Sequence, residues 1–290
     1  MRLSTGIEGL DERLGGGLLP GTLTVVVGST GIGKTQFGLH FAQAGQAGGE
    51  PAGIVFDMNA RGDSQNHADY ARRLFGWELR PAEGGPCVNG ECCFQLDHPC
   101  GDYLHAFEHR GRRVTRGELD FDQWHDWQAE LARRLNRSIA FFYGNFVRGV
   151  RRVVIDGIEP AERPSDSIQF ELFEYIYHQI LRKDPEWVAR DLFRQHYRRH
   201  SEAVARHVYD PGAIGCVTLI TSRETTLDAV IERPLAQGDL LSEANTVIHL
   251  GKIREGTRFR RALYVTKHRG SACSEEIVPY TIDEKGIRLE

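Results

Sequence analysis

The run Gly28-Ser29-Thr30-Gly31-Ile32-Gly33-Lys34-Thr35 constrains this chain more than any other feature. It satisfies G-x-x-x-x-G-K-[ST] at every position, and the pattern has a physical reason. Glycines let the backbone curl until its N–H groups face a phosphate, and a following helix turns its N-terminal dipole toward the same charge. Lys34 is then placed to reach the β- and γ-phosphates of ATP, and the Thr35 hydroxyl to touch Mg²⁺. The flanks agree with this reading. Residues 23–27 form a β-branched run without polar alternation, as in a buried strand of a parallel sheet. Residues 36–46 read as a helix stopped by Gly48-Gly49. A glycine-rich turn that merely imitates the motif does not require both flanks.

Apolar runs at 52–56, 153–156, 216–221 and 246–250 predict further strands, and two antiparallel segments are expected at 258–265 and 277–289. Helical spacing covers 64–75, 168–181 and 186–207, the last as one Arg- and His-rich helix. Strands alternating with helices predict an α/β domain over residues 1–290, with a mostly parallel central sheet flanked by helices. Residues 83–149 break the alternation with a Gly/Cys/His-rich stretch and then an aromatic, helix-like one, so they read as an insertion. The strand at 153–156 is expected to end in Asp156. Open α/β sheets place ligands at that end, and a carboxylate there suits the Mg²⁺ shell. An Asp that merely caps a helix is the alternative.

The chain has 290 residues, 40% hydrophobic content and a formal charge of −4. That suffices for a large core without disulfides, and it argues against a protein that coats nucleic acid. No run is long enough to span a membrane and no signal-peptide core opens the sequence, so a cytoplasmic protein is expected.

The segment Ser4-Thr5-Gly6-Ile7-Glu8-Gly9-Leu10-Asp11-Glu12-Arg13-Leu14-Gly15-Gly16-Gly17 resembles the opening motif of KaiC-like ATPases of the RecA superfamily. Val265-Thr266-Lys267-His268-Arg269-Gly270-Ser271 resembles the family's K-x-R-G-[ST] segment, and 280–287 its closing strand and turn. Residues 218–222 resemble its strand ending in Thr-Ser near the nucleotide. The resemblance covers about 3–80, 150–160 and 214–290. It implies a RecA-like core using ATP and Mg²⁺, assembled in rings, commonly hexamers, with ATP between neighbours. Lys267 and Arg269 would then reach the neighbour's γ-phosphate and stabilise transition-state charge in trans. A solvated basic turn is the bland alternative.

One position departs from the family. Where two adjacent Glu residues usually follow the second strand, this chain has Asp57-Met58, and against a RecA-like D-x-E pattern Asn59 takes the Glu position. A base must come within hydrogen-bond reach of the attacking water. Asp57 is the candidate base, with slow hydrolysis expected.

Cys87, Cys92, Cys93, His98 and Cys100 supply ligand types that zinc prefers, in a spacing that also fits unmetallated thiols on a loop. His105 and His109, four apart, would share a helix face. Arg190, Arg194 and Arg198 form a stripe that meets either phosphates or acids such as Asp191 and Glu202. Three functions follow: a ring-forming regulatory ATPase, favoured; a recombination or repair ATPase binding single-stranded DNA; and a nucleotide-binding switch with little turnover. In the last, the insertion docks a protein partner.

Overall fold

Residues without polar alternation need two apolar faces, and the sheet supplies both. The computed structural model describes residues 2–59, 67–82, 92–97, 100–107, 120–160, 167–233 and 240–290. Six strands run parallel: β1 (Leu23–Gly28), β2 (Ile54–Asp57), β3 (Tyr103–His105), β4 (Arg152–Ile158), β5 (Gly215–Thr221) and β6 (Thr246–Glu255). Three more continue the sheet as an antiparallel meander: β7 (Arg258–His268) on β6, β8 (Val278–Asp283) on β7 and β9 (Gly286–Leu289) on β8. Among the described residues the order is β3-β2-β4-β5-β1-β6-β7-β8-β9. This is the expected α/β architecture.

Successive residues of the central strands enter opposite cores. Val25, Val27, Phe56 and Ile155 join one, with the aromatic end of α4 (Phe121–Phe146), α5 (Ile168–Ile176) and α6 (Pro185–Phe193). Val26, Val55 and Val154 join the other, with α1 (Leu10–Arg13), α2 (Lys34–Gln43) and α3 (His67–Phe75). The period of two explains why these runs are apolar throughout.

Several elements differ from expectation. Tyr103–His105 forms an edge strand beside β2, and α4 packs Phe142 on Phe56 with ring centroids 5.2 Å apart, so parts of 83–149 belong to the same sheet and core. Strand β4 does not stop at Asp156. It continues to Ile158 through a register shift against β5, eased by Gly157 at φ 94°. The helix expected over 186–207 is two: α6 ends where Arg194 takes φ 46°, and α7 (Tyr197–Arg206) restarts beyond it. The break brings His200 onto buried Phe193 with centroids 4.2 Å apart, and it interrupts the Arg190-Arg194-Arg198 stripe. Arg190 pairs with Glu186, Asp191 with Lys183, and Glu202 with Arg206. His105 lies on β3 rather than on a helix with His109, and His109 falls outside the described residues.

The β6–β7 pairing buries His249, whose Nδ1 meets the Thr266 hydroxyl at 2.9 Å. Burial, helped by the Arg233 charge, pushes its pKa down to about 4. The unfolded chain takes up this proton near pH 6.5 and the native chain only near 4. The unfolded state therefore binds more protons between those values, and stability falls as pH drops through them. The loss should reach about 3 kcal/mol from this residue. Urea midpoints measured from pH 7.5 to 4.5 should fall less steeply for His249→Gln than for the wild type. Parallel curves would remove His249 from the acid transition.

Candidate functional site

The glycine-rich loop joins the end of β1 to the start of α2. Gly31 stands at φ 76° with open space where a Cβ would be, as a loop curled around a ligand requires. Gly33 takes φ 115°, and a Cβ there would sit 2.7 Å from Ile282 Cδ1 of β8, so the β8–β9 hairpin closes over the loop. Tyr280 confirms that contact by donating its hydroxyl to Ile32 O at 2.7 Å. His40 of α2 receives the Ile287 N–H on Nε2 and meets Gly6 O through Nδ1, both at 3.1 Å. The two ends of the chain thus grip the same helix. The opening motif folds around Asp11, whose carboxylate accepts from Thr5 N, the Thr5 hydroxyl and the Ser4 hydroxyl.

Lys34 is only 5% exposed, and its Nζ donates to Ser29 O at 3.0 Å inside the loop. Burial pushes its pKa down to about 8, against the opposing attraction of Asp156. The Thr35 hydroxyl donates to Asp156 Oδ2 at 2.7 Å. Burial alone would raise the Asp156 pKa, but His67, Thr35 and Lys34 outweigh it and hold the carboxyl below its ordinary range. A hydroxyl and an ionised carboxylate, both oxygen donors, suit a hard cation such as Mg²⁺, and a buried ammonium beside open glycine backbone suits phosphate. The loop residues Gly28, Ser29, Thr30, Gly31, Ile32, Gly33, Lys34 and Thr35 therefore come together with Asp156. The end of β5 joins them, with Ser222 N donating to Gly28 O at 2.9 Å.

Asp57 ends β2 in register with Asp156 on β4. Its Oδ1 accepts from Asn59 N at 2.9 Å and from the Asn59 amide at 2.7 Å, and its Oδ2 accepts the Tyr103 hydroxyl at 2.7 Å. Met58 is fully buried in the core. His67, the first residue of α3, lies between the two carboxylates, 3.0 Å from Asp156 Oδ2 and 3.5 Å from Asp57 Oδ2. Neither His67 nor Tyr103 stands out in the sequence. A single histidine in a polar stretch and a three-residue strand carry no pattern.

Lys267 and Arg269 lie elsewhere in the chain. Lys267 Nζ donates to Leu241 O at 3.1 Å and Ser242 O at 2.9 Å, on the short helix α9 (Leu240–Glu243) that follows α8 (Leu227–Glu232). Arg269 is exposed and reaches Ser242 O at 3.5 Å. The zinc expectation finds no support. Among the described residues no three His, Cys, Asp or Glu side chains converge as ligands. Cys92, Cys93 and Cys100 are buried, and Cys93 contacts Ala140 O of α4. Cys87 and His98 lie outside the described residues. Among the described residues no helix is long and apolar enough to cross a membrane.

The ATPase family described as KaiC matches residues 3–84, the span of the opening motif, the loop and β2. A UPF0273 protein of Methanopyrus kandleri is 36% identical over 292 aligned positions, covering 100% of this chain and 92% of that protein. The chain belongs to the KaiC-like ATPases of the RecA superfamily. A circadian clock oscillator protein KaiC of Prochlorococcus marinus is 38% identical across 99% of this chain. The chain spans less than half of such clock proteins, 46% of that one and 44% of the one from Parasynechococcus marenigrum. A KaiC-like protein from Pyrococcus horikoshii shares the fold, with TM-score 0.55, 16% identity and coverage of 100% and 99% of the two chains. KaiC-like membership supports a P-loop ATPase.

Proposed function

We propose that the chain is a ring-forming regulatory ATPase that binds Mg²⁺-ATP at the loop 28–35 and hydrolyses it slowly between subunits. The observation that carries this reading is the Thr35 hydroxyl on Asp156 Oδ2, beside a buried Lys34. In it Lys34 binds the β- and γ-phosphates while Thr35 and Asp156 hold Mg²⁺, which supplies charge neutralisation to the phosphates when bound. Lys267 and Arg269 act on a neighbour's nucleotide, and the ring is a cytoplasmic homo-oligomer, with a hexamer favoured. Residues 1–290 act as one ATPase domain, and the insertion at about 83–149 docks a protein partner.

A switch with little turnover is the second reading, and Asp57 favours it. The carboxylate meant to take a proton from water already accepts three hydrogen bonds, which leaves about one of its four lone-pair sites for a water. DNA repair is a weaker reading, because the basic stripe on α6 and α7 is interrupted at Arg194 and its Arg190 pairs with Glu186. Phosphate release from Mg²⁺-ATP, measured across protein concentrations beside Lys34→Ala, separates the first two. Turnover per subunit that rises with concentration and vanishes in the variant supports inter-subunit hydrolysis. ATP binding without release above that control identifies the switch.

A further inference from the structure

Asp57 and Asp156 are register partners on neighbouring parallel strands, so their side chains leave the same face of the sheet side by side. Both are buried, at 3% and 4% exposure. Two buried carboxylates repel each other and each loses its hydration, so the arrangement needs a donor between them. His67 provides it. Its ring is 3% exposed, with Nε2 3.0 Å from Asp156 Oδ2 and Nδ1 3.5 Å from Asp57 Oδ2. Because an ionised carboxylate offers only lone pairs, the shorter contact has Nε2–H donating to Asp156. The Tyr103 ring, whose hydroxyl holds Asp57 Oδ2, lies 5.4 Å from the imidazole centroid. The imidazole is therefore set by α3 on one side and by the ends of β2, β3 and β4 on the other.

Two donors converge on one atom of Asp156: the Thr35 hydroxyl and His67 Nε2 both meet Oδ2. Among the described residues no donor reaches Oδ1, so that oxygen remains for a cation. We propose that His67 is a positioning residue for magnesium. It holds the Asp156 carboxylate in one orientation beside Thr35, while Asn59 and Tyr103 hold Asp57 back from the same ion. The inference rests on the reading that Thr35 and Asp156 hold Mg²⁺ with the nucleotide. A ligand carboxylate fixed from outside loses less freedom on binding, and removing such a partner costs about 10–100-fold in metal affinity.

The test is the Mg²⁺ requirement of nucleotide binding, read with a fluorescent ADP analogue in the full chain. His67→Ala is expected to raise the half-saturating Mg²⁺ concentration about tenfold or more, while leaving affinity in EDTA unchanged. His67→Asn, whose amide falls short of Asp156, should show the same rise and serves where the alanine variant fails to fold. His67→Gln, whose amide nitrogen reaches the place of Nε2, should recover most of the loss. A purely structural role would shift both affinities together or neither, and either result overturns the proposal. A lowered Mg²⁺ requirement overturns it too, by placing the imidazole in the ion's own site. ADP binding that survives Lys34→Ala overturns the reading of the loop, and the proposal with it, which distinguishes that failure from one confined to His67.

Discussion

Lys34→Met should make the nucleotide-free protein more stable and nearly abolish nucleotide binding. The two effects share one cause. An ammonium buried to 5% exposure has given up most of its hydration for one carbonyl, Ser29 O, and the attraction of Asp156. Its pKa, about 8 instead of 10.5, measures the imbalance. The sign follows from proton counting. The unfolded chain holds this proton up to pH 10.5 and the native chain only to about 8, so native stability rises with pH across that window. Below pH 8 the full penalty is present, about 3 kcal/mol. Methionine keeps the unbranched stem and removes the charge, so at pH 7 melting should rise by several degrees, at roughly 2–4 °C per kcal/mol. Phosphate replaces the lost hydration in the complex, which the variant cannot exploit. Its affinity for Mg²⁺-ATP should fall at least about a hundredfold, the value of one or two charge-assisted contacts. Calorimetric melting and nucleotide titration of the two proteins check both halves. A variant that melts lower and still binds ATP would mean that the ammonium does not face the phosphate site.

What the sequence makes legible here divides along the same line. Gly28 to Thr35 are contiguous, and each residue type has a local reason, so the loop can be read without any tertiary contact. Asp156 is legible because an apolar run ahead of a carboxylate marks the end of a parallel strand. The strand nevertheless runs on to Ile158, since Gly157 at φ 94° allows a register shift that no propensity announces. His67 and Tyr103 are opaque for a different reason. Their role exists only once α3 and β3 dock beside β2, and that docking joins residues 89 and 46 positions away in the chain. The break at Arg194 is similar: local spacing favours one helix, and the packing of His200 on Phe193 accompanies two. Beyond residue 250, β6 continues as Lys252, Arg254 and their neighbours on an exposed hairpin. There cross-strand pairing with β7 rather than burial keeps the strand together. The cysteines mislead because buried thiols and metal ligands share a residue type, and only position distinguishes Cys93 under α4 from a ligand.

Arg269→Ala should lower turnover by about a thousandfold while leaving ATP affinity within a few-fold of the wild type, the signature of a charge that acts on the transition state from outside the binding loop. The segment that carries it has a firm base. Arg269 N donates to Asn245 O at 3.0 Å, and Lys267 Nζ is tied to the carbonyls of Leu241 and Ser242. Beyond that base, among the described residues, the exposed Arg269 guanidinium has one long contact, to Ser242 O at 3.5 Å, and so keeps the freedom to reach outward. Lys267 is less free. Burial and the Arg269 charge lower its pKa, and its removal would also uncap α9, so Lys267→Ala mixes stability with catalysis. Arg269 is therefore the cleaner probe, and mixing decides between action within a chain and action across an interface. Arg269→Ala subunits retain an intact loop, whereas Lys34→Ala subunits retain an intact Arg269. In a head-to-tail ring of randomly mixed subunits about a quarter of the interfaces join the two intact halves. Mixtures should recover about a quarter of wild-type phosphate release, although each variant alone gives none above background. Mixed rings that stay inactive while co-assembling would place the arginine on its own chain's nucleotide or remove it from hydrolysis altogether.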